Sequence, residues 1–251
     1  MLLDVLLTPT EIDNIVGQLN TNVIMSTTNS FLMAVSPNQK DDIVLGCSFQ
    51  SNFGGQLIRN SNQHHITDSK LSAAAIINPN SLIGVTRLSM FVIDKSDYYD
   101  RFINPINQKI VSSVIIAKIQ RNTSFSDRMN ISLYFTKQSE YVLNNTFTGY
   151  FSCSYYDTNT LHWNESGCTL PTYNAVFNRY ECNCNHLTTF ALIYRINPSL
   201  STSYSTLEMV TSPTNAESTH MISTLQSNTP SSIIDTTTSK YFLFSFIHML
   251  R

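Results

Sequence analysis

Residues 153–194 read CSYYDTNTLHWNESGCTLPTYNAVFNRYECNCNHLTTFALIY, and the end of this stretch, Glu181 to Tyr194, decides how the rest is understood. Residues two apart in a strand leave on the same face, so Cys182 and Cys184 are badly placed to bond each other. Each can instead reach back to one of Cys153 and Cys168, clamping a strand pair, and more than one such pairing is compatible with the sequence. Beyond them Phe190, Leu192 and Tyr194 fall on one face of a predicted strand, and Ala191 and Ile193 on the other. A strand that is apolar on both faces belongs in the middle of a core.

The whole chain of 251 residues is 42% hydrophobic and 11% aromatic, enough to bury a core as one large or two small domains. Charged residues make up only 13% and the net charge is -2, which leaves no basic face for nucleic acid or acidic lipid. Four of the five cysteines crowd into the quoted stretch, and Cys47 stands apart as a small buried hydrophobe. Asn122, Asn130, Asn144 and Asn164 each begin an N-glycan acceptor sequon. Cysteines and sequons agree on an extracellular, oxidising setting. The N-terminal MLLDVLLTPTE lacks a basic region and a cleavage site, so an export signal is expected upstream of this sequence.

Zinc is the competing reading of C-x-C-x-H with two upstream cysteines. Its spacing departs from the C-x2-C knuckle and the sequons argue for disulfides, so no metal is expected. No G-x-S-x-G, H-E-x-x-H or glycine-rich phosphate loop occurs, and no cofactor is expected. His64 and His65 lie in a polar stretch without acidic or cysteine neighbours at ligand spacing and read as solvated. Trp163 reads as core packing against a disulfide, and Asp97, Asp100 and Arg101 as a solvated turn.

Along the chain, Ile12, Ile15, Val16 and Leu19 at helical spacing predict one amphipathic helix, with Thr8 or Thr10 as N-cap and Glu11 and Asp13 in its first turn. DIVLGCSF, SAAAIINP, GVTRLSMFVID, KIVSSVIIAKI and MNISLYFTK predict short strands of a mainly β, antiparallel sandwich. The expected organisation is a helical lead-in over 1–39, the sandwich over 40–196, a Ser/Thr-rich linker over 197–240 and an apolar tail over 241–251. That tail is shorter than the roughly 20 residues of a membrane-spanning helix and could be the start of one.

In the order Cys153, Trp163, Gly167-Cys168, Cys182-x-Cys184, His186-Leu187-Thr188, then Phe190-Ala191-Leu192, residues 153–194 resemble the GPS motif. This motif forms the C-terminal strands of the GAIN domain of adhesion G-protein-coupled receptors and polycystin-like proteins. The resemblance extends more weakly upstream to about residue 40, and the helix before it resembles a remnant of the family's helical subdomain. It implies disulfides Cys153 to Cys182 and Cys168 to Cys184. It also implies self-cleavage: Thr188 Oγ attacks the Leu187 carbonyl carbon with His186 as general base, and the resulting ester is hydrolysed. The chemistry would amount to one intramolecular turnover, needing a twisted scissile peptide and an oxyanion donor.

In the resembled receptors the strand matching Thr188, Thr189, Phe190, Ala191, Leu192, Ile193 and Tyr194 acts as a tethered agonist once exposed. Its first partner would be the domain it was cut from, since burial and ladder hydrogen bonds hold it there. A membrane receptor region in a longer chain and extracellular protein ligands are the further partners implied. Placement on the outer face of the plasma membrane, or secretion, follows. The alternative is a glycosylated structural or ligand-binding sandwich that is never cut, with His186 and Thr188 as ordinary β residues.

Overall fold

In the computed structural model residues 7–37, 43–50, 54–58, 71–94, 99–100, 103, 107–122, 129–138 and 149–196 are described. Asn144, His64, His65, Asp97, Arg101, the 197–240 tract and the 241–251 tail lie outside them.

The first element, helix α1 (Pro9–Gly17), starts where capping chemistry dictates. Thr8 Oγ1 accepts from the Glu11 N–H while the Glu11 carboxylate accepts from the Thr8 N–H, a capping box with Pro9 opening the first turn. Ile12, Val16 and Leu19 are buried, as their spacing predicts.

Fourteen strands follow among the described residues: β1 (Val23–Ser26), β2 (Ser30–Val35), β3 (Ile43–Gln50), β4 (Gly54–Ile58), β5 (Ala73–Ile77), β6 (Val85–Ile93), β7 (Gln108–Ile110), β8 (Val114–Arg121), β9 (Ile131–Phe135), β10 (Gly149–Asp157), β11 (His162–Asn164), β12 (Thr172–Asn174), β13 (Arg179–Cys184) and β14 (Thr189–Ile196). The larger sheet runs β1-β2-β6-β8-β14-β10-β11, with β7 also on β14; the smaller runs β12-β13-β9-β5-β3-β4. All pairings are antiparallel. One core joins the two, with Met33, Met90, Ile115 and Leu192 from the larger sheet meeting Leu45, Ala75, Leu133 and Cys182 from the smaller.

Each of the five predicted β runs forms strand, but one of them forms two. In KIVSSVIIAKI the pair Ser112-Ser113 separates β7 from β8, and both strands pair with β14. Between them the ladder continues through a side chain: the Val111 N–H donates to the Leu192 carbonyl at 3.0 Å, and the Leu192 N–H donates to Ser112 Oγ at 2.9 Å.

The expected boundary at residue 40 falls inside the fold. β1 and β2 precede it and form one edge of the larger sheet, so residues 1–39 are more than a helical lead-in. VIMS alternates half-buried with exposed, an edge-strand pattern too short to stand out beside the helix. Trp163 is buried but does not pack on a disulfide as expected. It stands opposite Tyr156, three residues from Cys153 and therefore on the other face of the sheet, and meets the Tyr99 and Tyr156 rings edge-on at 6.1 and 5.6 Å. Cys47 is buried and outside any disulfide, with desolvation pushing its thiol far up.

Candidate functional site at the crossing between the sheets

β13 belongs to the smaller sheet and β14 to the larger, so residues 185–188 carry the chain from one to the other. Packed sheets lie about 10 Å apart, and the five Cα–Cα steps from Cys184 to Thr189 reach at most about 17 Å. His186, Leu187 and Thr188 thus occupy a connection with little slack. No non-glycine residue of it has positive φ; among the described residues only Leu161 and Asn178 do.

Two disulfides frame the crossing. Cys153 on β10 bonds Cys182 on β13, tying the sheets together across the core with Cα atoms 6.6 Å apart. Cys168 bonds Cys184, Cα to Cα 4.1 Å, where the preceding loop pairs with the end of β13. That pairing is completed by Thr169 N–H to the Asn183 carbonyl at 2.8 Å and Asn185 N–H to the Gly167 carbonyl at 2.9 Å. Cys182 and Cys184 face the core on either side of the exposed Asn183, as the two-residue period requires. With these four sulfurs oxidised none remains as a thiolate ligand.

Gly167 has φ +80°, and a Cβ built on it would come within 2.4 Å of Asn185 Oδ1 and 3.2 Å of His186 Nδ1. Only glycine lets this turn approach so closely. His186 Nδ1 lies 3.0 Å from Asn185 Oδ1. The imidazole meets the Tyr155 ring edge-on, centroids 4.3 Å apart, and the Phe190 ring at 5.5 Å. Its other nitrogen, Nε2, is buried and has no hydrogen-bond partner among the described residues. Desolvation against these rings pulls the His186 pKa below the ordinary histidine value.

Leu187 packs partly buried against the core. The Thr188 carbonyl accepts from the Ala117 N–H at 2.9 Å, extending the β8 ladder by one residue. Thr189 is buried on the outer face, where its hydroxyl donates to Asp13 Oδ1 at 3.1 Å, and Asp13 also pairs with Lys118 on β8. Gln120 Nε2 holds the carbonyls ending α1, Gly17 and Leu19, at 2.8 and 3.0 Å.

β14 is central: β10 pairs with it from Thr189 to Ile196, and β8 and β7 share its other edge. Phe190, Ala191, Leu192, Ile193 and Tyr194 are all buried. At its far end the Arg195 guanidinium reaches Ser152 Oγ at 3.0 Å, Ser154 Oγ at 3.3 Å and the Glu165 carboxylate at 2.5 Å.

Residues 18–198 match the family model GPS: GAIN subdomain B. The chain belongs to the GAIN subdomain B family. No curated protein sequence matches it. Among solved structures, the full extracellular region of zebrafish Gpr126/Adgrg6 is similar at a TM-score of 0.47 and 15% identity, covering 71% of this chain and 25% of that one. The chain therefore spans about a quarter of the length of that structure.

Within this GAIN domain His186, Leu187 and Thr188 lie on one connection whose upstream side the four cysteines hold, and the imidazole makes no hydrogen bond to the Thr188 hydroxyl. Sequence reasoning missed Asp13, Lys118, Tyr155 and Asn185. Asp13 had a signal: one step from Ile12 and three from Val16, it borders the buried stripe of α1 rather than open solvent. Asn122, Asn130 and Asn164 are exposed.

A pH dependence follows from the half-buried imidazole. A reaction that used the neutral ring as its base should lose rate as pH falls through a midpoint below about 6.5. Stability should move the same way. The unfolded chain binds the His186 proton more readily, so stability declines as pH drops below the unfolded value and levels off only below the depressed one. A cleavage time course from pH 5 to 8 measures the first, and a midpoint above 6.5 contradicts it.

Proposed function

We propose that this GAIN domain is an extracellular module that cuts its own chain between Leu187 and Thr188. His186 takes the proton of the Thr188 hydroxyl as Oγ attacks the Leu187 carbonyl carbon. The C–N bond breaks, the Thr188 nitrogen accepts the proton, and an ester joins the two parts. Water then hydrolyses the ester, returning the Thr188 hydroxyl and leaving a Leu187 carboxylate. The observation that carries this reading is the half-buried His186 ring, its pKa lowered by desolvation, two residues before Thr188 in the inter-sheet connection and with Nε2 not engaged by any other described residue.

After the cut β14 stays in place. Full burial of five apolar side chains, each worth about 1.5–3 kcal/mol for the larger ones, outweighs the loss of one covalent link. Released from that position, residues 188–194 would act as the family's tethered agonist on a receptor region in a longer chain. Glycans on Asn122, Asn130, Asn144 and Asn164, extracellular protein ligands and attachment to the plasma membrane belong to the same reading.

The test is expression in a secretory host. A denaturing gel should show fragments 1–187 and 188–251 that co-elute under native conditions, and Thr188→Ala should give a single uncut chain. One uncut band from the unaltered sequence sinks the proposal and leaves the non-cleaving sandwich.

A further inference from the structure

We infer that Asn185 is a positioning residue that sets the tautomer of His186, placing the ring proton on Nδ1 and leaving Nε2 as the basic nitrogen. This rests on the self-cleavage reading for its purpose, but not for its geometry. Asn185 Oδ1 stands 3.0 Å from His186 Nδ1. An amide oxygen only accepts, so the nitrogen facing it must carry the hydrogen. The opposite nitrogen points the same way. Nε2 is buried without a partner among the described residues, so a proton placed there would be an unsatisfied buried N–H. Both ends of the ring therefore favour the one tautomer in which Nε2 is the basic nitrogen.

Asn185 is itself held from two sides. Its N–H donates to the Gly167 carbonyl, and the missing Cβ of Gly167 leaves the space that its amide fills. The Cys168–Cys184 disulfide fixes the two backbones that make this pair. The chain thus carries a relay of position: disulfide to Gly167, Gly167 to Asn185, Asn185 to the imidazole. Partners that orient a metal-bound histidine typically change activity by roughly 10–100-fold when removed, and an effect of that order is expected here.

The direct readout is the ring-nitrogen spectrum of 15N-histidine-labelled Thr188→Ala protein, at a pH where His186 is neutral. The His186 signals are assigned by their loss in His186→Ala. A protonated Nδ1 and a lone-pair Nε2 are expected, giving way to the other tautomer or a mixture when Asn185→Ala is added. A proton on Nε2 with Asn185 present, or an unchanged tautomer without it, overturns the inference. Because this spectrum is taken on uncut protein, it decides the assignment whether or not the unaltered chain cleaves. In cleaving protein, Asn185→Ala should slow the cut at least about 10-fold with the melting transition retained. Asn185→Asp, which keeps an oxygen facing Nδ1, should recover most of that rate, and equal rates for the two variants contradict the assignment.

Discussion

Replacing Gly167 by alanine is expected to slow self-cleavage at least about 100-fold while leaving a folded domain. The residue is at φ +80°, where an L side chain costs roughly 1–2 kcal/mol. The added Cβ would also sit 2.4 Å from Asn185 Oδ1 and 3.2 Å from His186 Nδ1, so the Asn185 amide that holds the imidazole must shift and the ring itself give slightly. A displacement near 1 Å is enough to disturb proton transfer by that factor. The stability loss should stay near the backbone term, because Gly167 lies in a loop outside the shared core. Cleavage time courses on denaturing gels and thermal melts of the same protein separate the two effects. A variant that cuts at the parental rate would show that the imidazole does not need the Gly167 cradle.

Removing the Cys153 to Cys182 bond by a double replacement with serine should produce the largest loss of stability. The bond closes a loop of 29 residues, for which chain entropy gives about 3.6 kcal/mol. In a domain of this size that is a fall of about 7–14 °C in Tm. The two hydroxyls would also be left in a core among Phe190, Leu192 and Tyr180, adding desolvation to the entropic term. Cleavage should fail alongside, since β13 would no longer be fixed to the sheet that holds Thr188. Melting the variant in a Thr188→Ala background keeps cleavage from complicating the measurement. A drop in Tm under about 3 °C would mean that packing alone holds the sheets.

The parts of the fold that were legible in sequence are those set by local period. Cys182 and Cys184 had to share a face, the TFALIY run had to be buried on both sides, and the Ile12, Val16, Leu19 spacing announced α1. The partition of strands between two sheets was not legible, because it depends on partners far away: β14 lies between β10 and the β7 and β8 pair, contributed by separate stretches of chain. Hence the meaning of His186 to Thr188 as an inter-sheet crossing could not be seen. The same holds for Asp13, whose buried contact with Thr189 spans 176 positions and leaves only a faint mark beside the apolar stripe. Gly167 was visible as a motif residue, but its purpose depends on the distance to Asn185.

The placement of β14 has a mechanical side. Ladder bonds run along both of its edges, to β10 on one and to β8 and β7 on the other. Tension applied along the strand through Ile196 would load these bonds together in shear. Tension across the strand would instead peel them one at a time. A cut before Thr188 frees the strand's leading end without altering this geometry, so the force needed for extraction should depend far more on pulling direction than on any single side chain.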